Sequence, residues 1–430
     1  MARRDVWRSP TTQWGCRGVV SALVVVLACA LLPGVADAQG RGERPGERAL
    51  ILVSIDGFRW DYAELHGAPN LLELGREGVR AEALIPSFPT KTFPNHYTLV
   101  TGLWAEHHGV VGNNMYDPEL DALFELGNAK SMEDTRWWGG EPLWITAERQ
   151  GLRAATMFWP GSEFEVAGGR PSKWHAYKAS VPDDERVEQV LAWLDLPAKE
   201  RPSFMTVYFS RVDTAGHFYG PKSEEVRDAV HAVDKSLGLL LEGLERRGLA
   251  GQVDVVVVSD HGMAELDHDR VIVLEDHVQL AEEEVVSLSP LLGIWNERGS
   301  AAELAKRLDA VPHLRAWERA KLPERFHWRD HRRIPPVVAL ADEGWRVVRR
   351  GALDRFLEGR PGGGHGFDNR ESSMHGILFA RGPSFRIGFR SPAIQNVHVY
   401  NLICTALGIL PSPGDGDLEV VKPLLNTSSR

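Results

Sequence analysis

The stretch ALILVSIDG, residues 49–57, is an almost unbroken apolar run closed by Asp56 and Gly57. A strand that is apolar at nearly every position, rather than every second one, is buried on both faces. That is the condition of a central strand in a parallel sheet covered by helices. VDVVVVSDHG, residues 253–262, repeats the pattern and closes on Asp260, His261 and Gly262. FMTVYF (204–209) and GILFA (376–380) are shorter versions. Helical periodicity fills the gaps, at 69–77, 94–102, 140–150, 184–195, 222–247 and 396–407. Strands alternating with helices predict a doubly wound α/β sheet.

Outward from these strands the chain changes character. Residues 264–360 are charged, proline-bearing and less regularly apolar, and read as an insertion forming a small lobe. Residues 1–38 read as a leader: Arg3, Arg4 and Arg8, an apolar run from Gly18 to Leu32, then Ala36-Asp37-Ala38. That order is a signal peptide, so export to the periplasm or medium is expected. The apolar run is short for a membrane span, and no stable membrane anchor is expected. Residues 39–48 read as a flexible lead-in to a catalytic domain over 49–430. The three cysteines are Cys16, Cys29 and Cys404. Two leave with the leader, and the third cannot form an internal disulfide. The net charge is −10, with no basic stripe, which disfavours polymeric nucleic acid as a partner.

Both long strands end in acid, and ligands of open α/β sheets bind at the carboxyl ends of strands. Asp213 and His217 follow the strand 204–209, and His365 sits in the glycine-rich segment 362–366. With Asp56, Asp260 and His261 these make three carboxylates and three imidazoles, with no thiolate. Such donors fit Zn²⁺ ahead of Mn²⁺, and Asp213 and His217 are expected to converge from a tight loop around Gly216. Thr92 stands just before Phe93-Pro94 at a predicted helix start. On the residues alone it is either a plain N-cap or a hydroxyl poised for chemistry among unpaired N–H groups.

The segments FPTKTFPNHYTLVTGL (88–103), VDTAGHFYGP (212–221), VVSDHGM (257–263) and GHGFDN (364–369) resemble the ectonucleotide pyrophosphatase/phosphodiesterase family of the alkaline-phosphatase-like superfamily. The similarity extends over nearly all of residues 49–425. It implies a three-layer α/β/α sandwich with a mostly parallel central sheet, here as a free-standing catalytic domain. It also implies two Zn²⁺ per chain. One would be held by Asp56, Thr92, Asp260 and His261, the other by Asp213, His217 and His365. Thr92 would be the nucleophile of a covalent phospho-threonine mechanism. Asn113 would hold a phosphoryl oxygen, with Asn114 one place away, and His375 is the competitor of His365. Phe93, Tyr177 and Trp159 match the family's nucleobase-binding side. A small-molecule nucleotide is therefore the expected substrate and a nucleoside 5′-monophosphate the expected product.

Other readings predict different residues. A choline lysophospholipid phosphodiesterase of the same family would replace stacking aromatics with an apolar channel. A phosphomonoesterase would need a cation for the terminal phosphate, and no clear arginine stands near Thr92 in sequence. A sulfatase would need a Cys-x-Pro-x-Arg segment, absent here. A catalytically inactive binding module would have lost the nucleophile or a ligand. The oligomeric state is not readable from the chain.

Overall fold

In the computed structural model the strand Ala49–Ile55 (β1) runs between two parallel neighbours, Phe204–Phe209 (β5) and Val253–Val258 (β6). The remaining strands of the sheet are Val79–Ala81 (β2), Ala154–Met157 (β3), Lys173–Trp174 (β4), Leu378–Arg381 (β7) and Phe389–Ser391 (β8). Their order across the eight-stranded sheet is β8-β2-β7-β6-β1-β5-β3-β4. Only β7 runs against its neighbours β6 and β2, so the sheet is mostly parallel. The structure describes residues 49–281, 284–296 and 299–426; the expected leader and lead-in lie outside them.

The apolar runs divide by parity. Leu50, Leu52, Val256 and Val258 face one core with the helices Thr92–Thr101, Leu143–Arg149 and Val399–Leu407. Ile51, Val53, Ile55, Val255 and Val257 face another with the helices Pro69–Glu77, Asp183–Leu194 and Glu224–Arg246. Side chains alternate across a strand, so a strand apolar at every position serves two helix layers at once. The result is a three-layer α/β/α sandwich.

Within 264–360 a separate four-stranded antiparallel sheet forms, ordered Val285–Ser287, Leu291–Ile294, Val337–Ala341, Leu314–Glu318. With the helix Ala301–Asp309 it closes its own core around Leu292, Ile294, Leu304, Leu308 and Val337. This segment is anchored to the main body by charge. Asp117 is fully buried and receives Arg333 at 2.6 Å and Arg332 at 2.8 Å. Burial alone would raise its pKa, but hydrogen bonds from Arg332 and Arg333 outweigh that and hold the carboxyl well below the usual range. Its contribution to stability is present above about pH 4 and is lost as pH falls below it. Asp117→Ala leaves Arg333 buried without its carboxylate and is expected to cost about 3–5 kcal/mol, measured by urea denaturation. A loss under ~1 kcal/mol would show that the pair is spectator chemistry.

No helix among the described residues is long and apolar enough to cross a membrane.

Candidate metal centre

All the charged site residues gather beyond the carboxyl ends of the central strands. Asp56 directly follows β1, and Asp260 and His261 follow β6. Gly57 then turns at φ +67°, where a Cβ would come within 2.9 Å of the Asp213 Cα; the close approach of that neighbour requires glycine. Asp213 and His217 do not lie on a loop, as expected from Gly216, but on the helix Arg211–Tyr219. They converge because residues four apart share one helix face. His365 follows a two-residue strand, Gly363–Gly364, paired with Ala264–Glu265.

Two donor clusters result. His261 Nε2 lies 3.0 Å from Asp260 Oδ2, 3.5 Å from Asp56 Oδ1 and 3.3 Å from Thr92 Oγ1. His217 Nε2 lies 3.4 Å from Asp213 Oδ1 and 3.1 Å from His365 Nε2, which is itself 3.8 Å from Asp213 Oδ1. The clusters adjoin, with the His261 and His365 rings stacked at 3.6 Å. The Nδ1 atoms of His217, His261 and His365 face the carbonyls of Gly363, Gly262 and Thr90 at 3.1, 2.9 and 2.9 Å. A carbonyl only accepts, so each Nδ1 carries the proton and each Nε2 turns a lone pair inward. His217 and His365 thus point lone pairs at each other, an arrangement that calls for a cation.

The carboxylates agree. Asp56 Oδ1, Asp213 Oδ1 and Asp260 Oδ2 are buried without a hydrogen-bond partner. Burial, followed by the charges of Asp260 and Asp213, holds Asp56 well above the usual carboxylate range. Burial would raise Asp260 too, but His261 and His96 outweigh it and hold it well below. Burial, then the His261, Lys91 and His217 charges, hold His365 well below the usual imidazole range. Burial would lower His261, but the Asp260 carboxylate outweighs it and raises its pKa. Buried carboxylates converging with inward-turned imidazole Nε2 atoms fit divalent cations in both clusters.

Thr92 is the first residue of its helix; the cap position falls one place earlier, on Lys91. The Thr92 hydroxyl is therefore not spent on capping. Asn113 Oδ1 does that work, accepting Phe93 N at 2.9 Å. Because that N–H can only donate, the Asn113 amide NH₂ is the end left free. Asn114 is exposed, and its Oδ1 accepts Leu126 N at 2.9 Å within a hairpin. His375 is turned away, with Nε2 3.2 Å from Asn369 O.

The aromatic expectations divide. Tyr177 is 45% exposed, packs edge-on to Phe158 and Tyr208 at 5.3 and 5.8 Å, and bonds Ser210 Oγ at 3.2 Å. Phe93 is half-buried against Phe124 and Trp138. Trp159 corrects its expectation: it is 3% exposed, and its Nε1 donates to His96 O at 3.0 Å. It offers no face to a ligand, because it supports the Thr92 helix from within the core.

Three contributors escaped the sequence reading. His96 Nδ1 reaches Thr92 O at 2.9 Å and Asp260 Oδ2 at 3.3 Å, and its Nε2 meets Ser54 Oγ at 2.8 Å. The i,i+4 spacing from Thr92 was its only local signal. Tyr208 donates to Asp56 Oδ2 at 2.6 Å. Lys91 Nζ donates to His365 O at 2.9 Å and Ser289 O at 3.2 Å. Its pKa is pushed down to about 8, by burial above all; Asp213 opposes the shift and Arg346 adds to it.

The fold and these clusters define an α/β protein of the alkaline-phosphatase-like class, with a paired carboxylate–imidazole centre at its strand ends. Residues 50–368 match the family described as type I phosphodiesterase/nucleotide pyrophosphatase, and the chain belongs to that family. It is 39% identical over 378 residues to ectonucleotide pyrophosphatase/phosphodiesterase family member 3 of Bos taurus, covering 85% of this chain and 43% of that protein. It is 36% identical over 392 residues to the bis(5′-adenosyl)-triphosphatase of Xenopus laevis, covering 90% of this chain and 84% of that protein. The chain thus spans less than half the length of the bovine relative. Among solved structures, it superposes on murine ectonucleotide pyrophosphatase/phosphodiesterase 5, an inactive Thr-to-Ala variant in complex with AMP. The TM-score is 0.83 at 34% identity, covering 88% of this chain and all of that one.

Proposed function

We propose that the chain hydrolyses phosphodiester or phosphoanhydride bonds of nucleotides, releasing a nucleoside 5′-monophosphate through a phospho-threonine intermediate. The observation that carries this is the Thr92 hydroxyl. It is free of capping, lies at a helix N-terminus and stands 3.3 Å from His261 Nε2 beside Asp56 and Asp260. Two divalent cations, Zn²⁺ by the donor set, would be held by Asp56, Thr92, Asp260 and His261 and by Asp213, His217 and His365. When bound, they would lower the pKa of the attacking hydroxyl and neutralise phosphoryl charge.

The chain's own residues do the rest. Thr92 loses its proton to solvent, its Oγ1 forms a bond to phosphorus, and the bond to the leaving oxygen breaks. Water then attacks the same phosphorus and the Thr92 Oγ1 bond breaks. The Asn113 NH₂, held by its own carbonyl at Phe93 N, donates to a phosphoryl oxygen. His96 and Tyr208 hold Asp260 and Asp56 in place. AMP in the murine neighbour, and its inactivity as a Thr-to-Ala variant, support the nucleotide and the threonine in this reading. Turnover of ATP, a dinucleotide and bis-nitrophenyl phosphate, with lysophosphatidylcholine alongside, is the test. Cleavage of the lipid alone would favour the choline phosphodiesterase, and cleavage of none the binding module.

Phe93 and Tyr177 are proposed to hold the base from two walls of the site. Phe93→Ala or Tyr177→Ala should raise KM for nucleotides by a factor corresponding to about 1–3 kcal/mol. A small aryl phosphodiester should be nearly unaffected; equal effects on both would make the rings structural. Export is proposed from the leader pattern, with the mature chain beginning near Gln39. N-terminal sequencing of protein from the periplasm or medium tests this, and an intact Met1 on cytoplasmic protein contradicts it.

A further inference from the structure

Beside the two histidines of the second cluster lies a cavity of about 950 Å³. His217 and His365 are in its wall, and four cations line it: Lys91, Arg346, Arg355 and Arg360. Among the described residues no carboxylate lines it, although the chain as a whole carries a net charge of −10. Arg360 is paired with Glu225 at 3.1 Å. Arg346 and Arg355 have no ion-pair partner among the described residues. Arg346 stands over the Phe356 ring at 5.1 Å, so its guanidinium is held by packing rather than by charge. Uncompensated cations gathered in one concavity repel each other and focus positive potential, and an anion relieves both. Guanidinium forks suit phosphate.

Lys91 also lines a second cavity, of about 120 Å³, which it shares with Asn113. Lys91 therefore stands between the Asn113 side and the arginine side of the centre.

We propose that the arginine cavity binds the leaving group, and that this group carries further phosphate. This deepens the function proposed above and rests on it. When Thr92 Oγ1 bonds to the nucleoside phosphorus, the bridging anhydride oxygen leaves with the electron pair. Arg346 and Arg355 hold the phosphates attached to that oxygen. The preferred bond is then an anhydride, with pyrophosphate or a nucleoside phosphate departing, rather than an ester of an uncharged alcohol. Phe218, 66% exposed, is among the residues lining the cavity and offers a ring to a second nucleoside.

The experiment compares wild type with the double variant Arg346→Ala/Arg355→Ala, and with Arg390→Ala, a cation outside the cavity. Substrates are ATP, diadenosine triphosphate and the 4-nitrophenyl ester of thymidine monophosphate. The double variant should lose at least about tenfold in kcat/KM on the anhydrides and less than about twofold on the nitrophenyl ester. Retained ester turnover also reports an intact fold. Calorimetric binding of magnesium tripolyphosphate to the full chain should weaken by about tenfold as well. A larger loss on ATP than on diadenosine triphosphate identifies pyrophosphate as the natural leaving group, and the reverse a nucleoside phosphate. Equal losses on all three substrates, or undiminished anhydride turnover with undiminished tripolyphosphate binding, overturn the proposal. Wild type that cleaves none of the three yet binds tripolyphosphate through these arginines overturns the hydrolase reading and leaves the anion site standing.

Discussion

Thr92→Ala is expected to cut turnover by at least about 10³-fold while the protein stays folded. The attacking oxygen is gone, and nothing else at the helix start supplies one. Stability should change by no more than about 1 kcal/mol. Thr92 caps nothing, and the acceptor at Phe93 N comes from Asn113. Asp56, Asp260 and His261 remain to hold their cation, so metal content should stay near two equivalents. Thr92→Ser keeps the oxygen with more rotamer freedom and should retain part of the activity. Thr90, two residues away, is not a neutral comparison. It is fully buried, donates to Phe367 O and accepts Gly366 N, each at 2.9 Å, and its carbonyl faces His365 Nδ1. Its loss should loosen the second cluster rather than remove the nucleophile. A Thr92→Ala protein with near-normal kcat and full metal content would mean that water attacks directly, ending the covalent mechanism.

Removing metal should be almost as severe, for a different reason. Elemental analysis after mild dialysis should find about two divalent ions per chain. A chelator should abolish turnover and lower Tm by roughly 5–15 °C, because each tightly bound ion adds on the order of 4 kcal/mol at a thousandfold excess over its Kd. The buried carboxylate oxygens of Asp56, Asp213 and Asp260 lack hydrogen bonds and are left facing one another's charge. His261→Ala should drop the content from about two equivalents to about one, since His261 Nε2 is the atom on which Asp56, Asp260 and Thr92 converge. Unchanged content in that variant would remove His261 from the ligand set, and unchanged Tm on chelation would argue against buried sites altogether.

Much of this was legible in the chain because it is local. A strand apolar at every position announces burial on two faces, and the runs at 49–55, 204–209 and 253–258 form the three adjacent parallel strands that carry the site. An acid after such a run lies at the strand's carboxyl end whatever the rest of the fold does. The period of 3.6 placed the helix Pro69–Glu77 at its observed ends and Asp183–Leu194 within one residue. Where local signals conflicted, the reading slipped. Gly216 suggested a loop in what is a helix, and Thr92 stayed open between cap and nucleophile on local signals because the acceptor at Phe93 N, Asn113, lies 20 positions beyond Phe93.

The sequence by itself determined the sheet, the strand-end acids and the chemical type of the donors, since each follows from side-chain identity and a short-range period. Only the tertiary structure decided which nitrogen of each imidazole faces inward, because that depends on carbonyls such as Thr90 O, 275 positions from His365 in the chain. It also decided that Trp159 belongs to the core, that His96 braces Asp260, and that Lys91, Arg346 and Arg355 line one cavity. Those facts arise from contacts between distant segments, and packing of that kind leaves no periodic trace in the chain.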